Sequence, residues 1–409
     1  MNVILMNQFF WPDSAPTARL LTDLANHLAE RGWSVTVFCG SGTYAKIGRE
    51  QHPDMASNIK VFRCPTFPFA RNLPVRLLSY ATFLAGSIVI GLLGPRPDLV
   101  ITLTTPPLLG IVGTILKRFT GARHFSWEMD LYPEVGIDLG VFDPHSRLIR
   151  ELVKVAALIR RRADGILALG PCMRQRLIDS GVDPRKISVT GNWANGEAIF
   201  PMAKPAGKRR FTVHYSGNLG IAHDIETISA AMDGLKDDDR FEFIFVGGGP
   251  KRAGLERFCA DRQLHRVRFL PYCDAAELAE NFSRGDVGLV TQHKACFGTV
   301  VPSKLYAYLA AGTPVLYIGP RQTTPALIIE RHKCGWHIDC DDSAGLRRLL
   351  NELGQNRGRV AQAGRNARQA FLENYDLPMG VSRIGAAIEL ADSPGVPAAE
   401  GPAISAVRE

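Results

Sequence analysis

The sequence predicts an α/β protein: two tandem doubly wound, Rossmann-like domains that face each other across a cleft. Two observations carry this prediction. Short apolar, strand-like runs alternate with amphipathic helical stretches from residue 2 onward, and this rhythm stops over residues 195–210 and then starts again. Strand and helix in repeated alternation are typical of a parallel sheet with helices on both faces. Because such sheets bind ligands at the carboxyl ends of their strands, and pockets favour domain interfaces, we expect the functional site in the cleft.

The individual elements follow from the same patterns. In the first half, strands are predicted at residues 2–7, 34–39, 99–102, 124–127, 165–169 and 187–190, with a helix over 17–31. In the second half, strands are predicted at residues 211–215, 241–246, 267–270, 287–290, 314–318 and 335–338, with a helix over 225–235. The stretch 195–210 is rich in proline and basic residues and is typical of an interdomain linker. We expect domains over residues 1–200 and 201–378, and a disordered tail over 391–409.

Composition and charge narrow the class of protein. The chain has 409 residues, of which 46% are hydrophobic and 22% charged, as in soluble proteins with more than one core. The formal net charge of +8 suits anionic partners such as phosphates or an acidic membrane surface, or is simply a soluble surface. The eight cysteines form no C-x-x-C pair, and Met1 leads directly into a strand-like run, so we expect a reduced, cytoplasmic protein without a secretory signal.

A group of potential zinc ligands near the C-terminus does not have the spacing of a metal site. Its members are His332, Cys334, His337 and Cys340. The spacings H-x-C and H-x-x-C match no common structural zinc site, so no metal is expected.

Two segments bear on membrane binding. The uncharged run over residues 77–93 is shorter than the roughly 20 residues of a membrane-spanning helix, which leaves a buried crossover helix or a helix partly inserted into one leaflet. The helical stretch 147–162 is amphipathic and is either an ordinary solvated helix or one that meets anionic lipid. Its predicted apolar face is formed by Leu148, Leu152, Val155 and Ile159. Its predicted cationic face is formed by Arg147, Arg150, Lys154 and Arg161.

Two glycine loops mark the second half. The sequence SGNLG at 216–220 and the sequence VGGGP at 246–250 each follow a predicted strand. Glycines let a backbone approach a phosphate closely, and a helix N-terminus favours an anion; the alternative for each loop is a simple tight turn. Residues 269–272 end a third strand and offer the Tyr272 ring to a nucleotide base, unless they are an ordinary strand terminus.

A third pattern adds a positive charge to the second half. Pro302 fits the start of a helix, and Gly312 fits its end just before a strand. Ser303 then lies in the first turn, where free amides point toward an anion, and Lys304 supplies a full charge.

In the first half, residues 127–134, with the sequence WEMDLYPE, place the carboxylates of Glu128 and Asp130 at the carboxyl end of a strand. A carboxylate there can orient or deprotonate a substrate hydroxyl. The alternative is a helix N-cap by Asp130 or a surface turn.

In this order the motifs resemble the family-4 retaining glycosyltransferases of the GT-B fold, and within them a WbuB-like bacterial branch that builds surface polysaccharides. The resemblance is carried by the sequence NQFFWP from Asn7, by residues 130–134, by the two glycine loops, and by residues 302–306 and 310–315. It implies an enzyme that moves a hexosyl or N-acetylhexosaminyl group from a nucleoside diphosphate sugar, foremost a UDP-sugar, to a lipid-linked glycan with retention of configuration. It implies no cofactor, no nucleic acid partner, and a helix over 379–390 that crosses back to the first domain.

The motifs and the resemblance together lead to the expected site residues. Asp130 and Lys304 are expected to be catalytic. Donor contacts are expected from Gly217, Asn218, Gly247, Gly248, Tyr272, Ser303, Lys304 and Tyr306. Acceptor contacts are expected from Ser14, Glu128 and Asp130. The protein is expected at the cytoplasmic face of an anionic membrane, bound peripherally.

The sequence departs from the wider family at four positions. Thr299 and Ala307 stand where the family carries two glutamates that contact the donor, and Asn218 and His223 stand where many members carry Arg and Lys. Lys304 is the nearest substitute cation. The departures at Thr299 and Ala307 keep a catalytically inactive nucleotide-sugar-binding scaffold open as an alternative. A nucleotide-sugar epimerase is a second alternative, since some epimerases use a similar two-domain fold.

Overall fold

The computed structural model describes residues 1–13, 15–41, 55–67, 73–204 and 210–391. The chain forms two compact units: Met1–Gly191 together with the residues from Val381 onward, and Asn192–Gly380. Each unit has one parallel sheet with helices between its strands, so the predicted α/β class with two doubly wound domains is confirmed. Ser14, residues 205–209 of the predicted linker and the predicted tail after Ala391 lie outside the described residues.

The first unit contains a seven-stranded sheet in the order β3-β2-β1-β4-β5-β6-β7. Its strands are β1 (Asn2–Met6), β2 (Ser34–Gly40), β3 (Lys60–Cys64), β4 (Leu99–Thr102), β5 (Arg123–Glu128), β6 (Gly165–Ala168) and β7 (Ile187–Val189). Its helices are α1 (Pro16–Glu30), α2 (Leu73–Leu93), α3 (Gly110–Thr120), α4 (Glu134–Asp138), α5 (Arg147–Arg162) and α6 (Pro171–Asp179). The order reverses between β1 and β4, which is where doubly wound sheets open a crevice for ligands.

The second unit contains a six-stranded sheet in the order β10-β9-β8-β11-β12-β13. Its strands are β8 (Phe211–Ser216), β9 (Phe241–Val246), β10 (Val267–Leu270), β11 (Val287–Thr291), β12 (Val315–Ile318) and β13 (Gly335–Ile338). The helices along it are α7 (Glu226–Asp233), α8 (Arg252–Asp261), α9 (Leu278–Ser283), α10 (Lys304–Ala310), α11 (Thr324–His332), α12 (Ser343–Gln355), α13 (Arg357–Asn374) and α14 (Leu377–Leu390). From Val381 on, α14 belongs to the first unit.

Strand β3 is an element that the sequence did not reveal. It lies at the edge of the first sheet and pairs with β2 alone. Only Cys64 of its five residues is buried, so the strand lacks the apolar run by which the other strands were predicted. The predicted strands themselves agree with the observed ones to within one or two residues.

Helix α2 is longer and more exposed than the sequence suggested. Its segment Pro74–Leu93 has a mean hydropathy of 1.7 and a length that suffices to cross a membrane, yet only 22% of it is buried. Ser79, Phe83 and Ser87 are spaced four residues apart and form its fully buried face. On the opposite side Val89 is 54% and Leu93 83% exposed. The buried-crossover interpretation is therefore wrong for most of the helix surface.

Helix α5 has the predicted bounds, but its buried face is different from the predicted one. Ile149, Ala156 and Ile159 are buried, whereas Leu148 is 67% exposed. Within the predicted apolar face, Ile159 is buried, Leu152 and Val155 are half-buried, and Leu148 is exposed. The prediction is therefore wrong at Leu148, and it omitted Ile149 and Ala156.

Candidate active site

The two glycine loops are locked together at the carboxyl ends of β8 and β9. The Gly217 amide donates to the Val246 carbonyl at 2.9 Å, and the Leu219 amide donates to the Gly248 carbonyl at 2.7 Å. Gly217 and Gly247 have φ angles of 131° and 118°, which side chains other than glycine rarely adopt. A Cβ at Gly247 would lie 2.2 Å from the Gly217 carbonyl oxygen. The glycines therefore set the shape of a partly buried backbone surface at this edge of the sheet.

The Tyr272 ring borders this backbone surface. It follows β10 and is 59% exposed. Atoms of its ring lie 3.1 Å from a Cβ built on Gly247 and 3.2 Å from one built on Gly248. The structure thus brings Gly217, Gly247, Gly248 and Tyr272 together, as the sequence predicted. An exposed aromatic face beside open backbone suits the stacking of a nucleotide base.

Lys304, at the start of α10, reaches the same place. Its Nζ lies 4.8 Å from the centre of the Tyr215 ring and 3.3 Å from Nε2 of His223. A Cβ built on Gly217 would be 3.3 Å from Cε of Lys304. Burial lowers the pKa of Lys304 to about 7, because the apolar surroundings disfavour the ammonium. An anion placed at the glycine loops would remove this penalty.

Two other basic residues near the loops are already engaged. Lys251 donates to the His223 carbonyl at 2.7 Å and pairs with Glu226 at 3.3 Å. Arg252 donates to the Leu270 carbonyl at 2.8 Å and also contacts the Gly247 carbonyl. Both residues therefore hold the loops in place, which leaves Lys304 as a cation beside the loops within the described part of the chain.

Of the remaining predicted donor residues, two are accessible and one is not. Asn218 and Ser303 are exposed beside the first glycine loop and at the N-cap of α10. Tyr306 is fully buried and packs against Tyr375, with ring centroids 5.4 Å apart. The prediction that Tyr306 contacts a donor is corrected accordingly: two residues after Lys304, the helix turns this side chain into the core.

The positions where the wider family carries glutamates contain no carboxylate. Thr299 is fully buried, and its hydroxyl has no hydrogen-bond partner among the residues that the structure describes. Ala307 packs partly buried against the core of the second unit. Any contact to the donor sugar must come from other groups.

In the first unit, Arg160 forms ion pairs with two of the three carboxylates at the end of β5 and just after it. Its guanidinium is buried, with Nε 3.4 Å from Oε2 of Glu128 and Nη1 2.5 Å from Oε1 of Glu134. The Ser126 hydroxyl donates to Oε1 of Glu128 at 2.7 Å. Burial alone would lower the pKa of Arg160, but the two carboxylates raise it above its ordinary value. Glu128 is thus part of a buried ion pair, and its prediction as an acceptor ligand is corrected.

Asp130 is the third carboxylate, and it is not part of the ion pairs of Arg160. It is half-buried, and its carboxylate has no ion pair or hydrogen-bond partner within the described part of the chain. Burial raises its pKa to about 6. It is not a helix N-cap, because α4 begins at Glu134 with Pro133 at the cap position. A carboxylate with this pKa is ionised at neutral pH and can accept a hydrogen bond from a substrate hydroxyl.

Three of the four candidate zinc ligands contact backbone carbonyl groups. Cys334 donates to the Ile328 carbonyl, Cys340 donates to the Gln292 carbonyl, and Nε2 of His337 lies 2.7 Å from the Gly319 carbonyl. In the described ranges no group of three or more His, Cys, Asp or Glu could hold a metal ion. Catalysis without a metal stays a prediction.

Comparison with known proteins supports the same two domains. Residues 17–193 match the family model "Glycosyl transferase 4-like domain", and residues 200–370 match "Glycosyl transferases group 1". The chain is a glycosyltransferase of the GT-B fold. It is 27% identical over 336 residues to the probable glycosyltransferase WbjE of Pseudomonas aeruginosa, covering 79% of this chain and 83% of that protein.

A further relative agrees with this family, and a solved structure agrees with the fold. The enzyme is 24% identical over 339 residues to the putative colanic acid biosynthesis glycosyl transferase WcaI of Escherichia coli K12, covering 76% of this chain and 82% of WcaI. Among solved structures, HepE of Anabaena in complex with UDP-glucose is similar with a TM-score of 0.70 at 16% identity. That match covers 95% of the enzyme and 100% of the HepE chain and supports the fold.

The glycosyltransferase contains a site residue whose role the sequence did not show. His223 was identified only as the position where relatives carry a lysine, whereas the structure places its ring between Lys304 and Thr291. The chain separation of 81 residues to Lys304 explains why no local pattern could reveal the contact.

The glycine loops permit a sharp test. Gly247→Ala would force a side chain into a positive-φ position against the Gly217 carbonyl. We expect the free energy of unfolding to fall by about 1–3 kcal/mol, as for backbone strain of this kind, and donor affinity to fall with it. Gly254→Ala is the matched control, since no atom lies within 4 Å of a Cβ built there on α8. Chemical denaturation of both variants checks the prediction, and equal stability of the two would contradict it.

Proposed function

We propose that the enzyme transfers a hexosyl or N-acetylhexosaminyl group from a UDP-sugar to a lipid-linked glycan, with retention of configuration. It binds peripherally to the cytoplasmic face of the membrane and takes part in the synthesis of surface polysaccharide. The observation that carries the donor assignment is the Lys304 ammonium beside the glycine loops and Tyr272. UDP is proposed as the nucleotide because the similar fold of HepE holds UDP-glucose. The polysaccharide role is proposed from WcaI, which is named a putative colanic acid biosynthesis glycosyl transferase.

The chemistry places a cation where negative charge grows. As the bond between the anomeric carbon and the donor phosphate oxygen breaks, the leaving nucleoside diphosphate gains negative charge. Lys304 stabilises that charge because its side chain already lies against Gly217 of the loops that would hold the diphosphate. The acceptor oxygen forms the new bond to the anomeric carbon on the same face. Its proton passes to the departing phosphate oxygen, the route that the family resemblance implies for retention.

Asp130 is proposed to orient the acceptor hydroxyl. Asp130→Asn keeps the shape of the side chain but removes the charge, so we expect kcat to fall at least about tenfold, while the donor Kd changes less than about twofold. Because the pKa of Asp130 is about 6, kcat/KM of the native enzyme should fall as the pH drops below 6, and the Asn variant should lack this limb. The exposed carboxylate variant Glu151→Gln is the control. An unchanged kcat with a much weaker donor Kd would place Asp130 on the wrong ligand.

The membrane proposal rests on three helices of the first unit. Helices α2, α3 and α5 each lead to the next strand in the same direction along the sheet, so right-handed crossovers place them on one face. Apolar side chains point outward from this face, among them Leu93, Phe119 (68% exposed) and Leu148. Exposed basic residues accompany them on α5, namely Arg147, Arg150 and Lys154. Apolar and cationic groups together anchor a protein reversibly to anionic lipid.

Vesicle flotation tests this surface. The native enzyme should float with vesicles that contain phosphatidylglycerol, and high salt should release part of it. Val89→Ser with Leu93→Ser should lower the binding constant by at least about a hundredfold, because each inserted side chain contributes about 1.5–3 kcal/mol. Leu372→Ser, an exposed leucine on α13 of the second unit, is the control. Equal binding to neutral and anionic vesicles, unchanged by salt and by the α2 substitutions, would contradict the proposal.

One assay separates transfer from the two other functions. We expect slow release of UDP from a UDP-sugar without acceptor and faster release when a lipid-linked glycan is added, with the anomeric configuration of the product read by NMR. Nucleotide binding without turnover, whichever acceptor is added, would favour the scaffold. The absence of carboxylates at Thr299 and Ala307 is the sequence feature that supports this alternative. Conversion of the donor sugar without release of nucleotide would favour the epimerase.

A further inference from the structure

The ring of His223 is fixed on several sides within the proposed donor site. Its Nδ1 lies 2.8 Å from the carbonyl oxygen and 3.1 Å from the hydroxyl of Thr291. Its Nε2 lies 3.3 Å from Nζ of Lys304, and its ring meets Tyr215 edge to face with centroids 5.9 Å apart. Tyr215 is the same residue whose ring lies under the Lys304 ammonium. Histidine, tyrosine and lysine thus form one contact group.

The hydrogen bond to Thr291 determines which ring nitrogen carries the proton. A backbone carbonyl can only accept, so Nδ1 of His223 donates to it and Nε2 keeps its lone pair. That lone pair faces the Lys304 ammonium, which donates to it. Burial and the adjacent ammonium lower the pKa of His223 to about 3, so the ring is neutral at neutral pH.

A neutral acceptor suits a cation that must serve an anion. A carboxylate in the place of His223 would hold the ammonium but would also cancel its charge. The imidazole directs one N–H of Lys304 and leaves its full charge and its other N–H groups for a ligand. The charged residue next to this group is Lys251, whose ammonium is paired with Glu226 and further disfavours a proton on His223.

We infer that His223 is a positioning residue: as the neutral partner of Lys304, it fixes the direction of the ammonium toward the donor diphosphate. The inference rests on the proposed function and deepens it. The family that the sequence resembles often carries a lysine at this position, whereas here a neutral ring lies beside the Lys304 ammonium. Removing His223 should therefore act through Lys304, and only through it.

The test uses the full-length enzyme and a double-mutant cycle. His223→Phe keeps a ring beside Tyr215 and removes both nitrogens. We expect the donor KM to rise about tenfold with a smaller change in kcat. We also expect the alkaline limb of the pH profile, where kcat/KM falls, to move about one pH unit toward acid. The reason is that the Lys304 ammonium loses a hydrogen-bond acceptor, which lowers its pKa. His223→Gln should recover part of both effects, because its amide can donate to Thr291 and accept from Lys304. His265→Phe, on the exposed turn after α8, is the control.

The decisive variant is His223→Phe in a Lys304→Met background. If His223 acts through Lys304, the double variant has the kcat/KM of Lys304→Met alone and no alkaline limb. An additional loss of tenfold in the double variant, or an unshifted limb in His223→Phe, overturns the inference. Should His223→Phe not fold by circular dichroism, His223→Asn, which is too short to reach Lys304, carries the same expectations. A native-like kcat/KM in Lys304→Met would instead contradict the proposed function, so the two failures are distinguishable.

Discussion

Replacing Lys304 with methionine is expected to lower kcat/KM for the donor by about 10- to 150-fold. This range is the loss of a charge-assisted contact of about 1.5–3 kcal/mol at about 1.4 kcal/mol per decade. Methionine keeps most of the aliphatic volume, so packing against Tyr215 changes little. Lys304→Arg should rescue only part of the activity, because the planar guanidinium has a different shape and reach. Steady-state kinetics on a UDP-sugar checks both expectations.

The same substitution should stabilise the free enzyme. Burial lowers the folded-state pKa of Lys304 to about 7, whereas the unfolded value is near 10.5. Below pH 7 both states carry the proton, and the folded state bears the full cost of the buried charge. Between pH 7 and about 10.5 the unfolded state binds more protons, so native stability rises with pH. Lys304→Met removes this cost, and its gain in stability should be largest below pH 7.

Donor binding has the opposite dependence on pH. Above pH 7 the free enzyme must take up a proton at Lys304 to meet the diphosphate, so the donor KM should rise by up to about tenfold per pH unit. Lys236→Met, an exposed lysine of the same unit, is the control and should leave activity, stability and pH profile unchanged. Near-native kcat/KM and an unchanged pH profile in Lys304→Met would show that another group meets the diphosphate.

The second large effect concerns folding. Arg160→Met leaves the buried carboxylate of Glu128 without its cation, and Glu134 loses its partner as well. Removing one member of a buried ion pair typically lowers the free energy of unfolding by about 3–5 kcal/mol. Urea denaturation should show a loss of this size. The neighbouring residue offers a matched control, since Arg161 is exposed and Arg161→Met should change stability by less than about 0.5 kcal/mol. A loss below 1 kcal/mol in Arg160→Met would return Glu128 to the candidates for acceptor binding.

How well each site residue could be predicted depends on how far apart in the sequence its interacting residues lie. The glycine loops and Lys304 were predictable because their chemistry is local: positive φ requires glycine, and a lysine at a helix start is visible in the sequence. Glu128 was misassigned because its partner Arg160 lies 32 residues further on, on α5. The role of His223 depends on Thr291, 68 residues away.

Helix α2 was misjudged for a different reason. An uncharged run has the same composition whether the fold covers it or leaves it at the surface. Only the packing of Ser79, Phe83 and Ser87 shows which face is covered. The prediction for Tyr306 was wrong for the same reason: the sequence does not show which face of α10 is covered, and this side chain is buried in the fold.

Thermal unfolding with nucleotide ligands tests the central claim most directly, namely that the second unit binds a nucleoside diphosphate sugar through Lys304. The native enzyme and Lys304→Met are unfolded at pH 7 with UDP, a panel of UDP-sugars, or free sugar. A ligand at about 100 times its Kd adds about 2.7 kcal/mol to the free energy of unfolding. We expect a clear rise in Tm of the native enzyme with one UDP-sugar, none with free sugar, and a much smaller rise in Lys304→Met. An equal rise in both proteins, or no rise with any nucleotide sugar, would contradict the account.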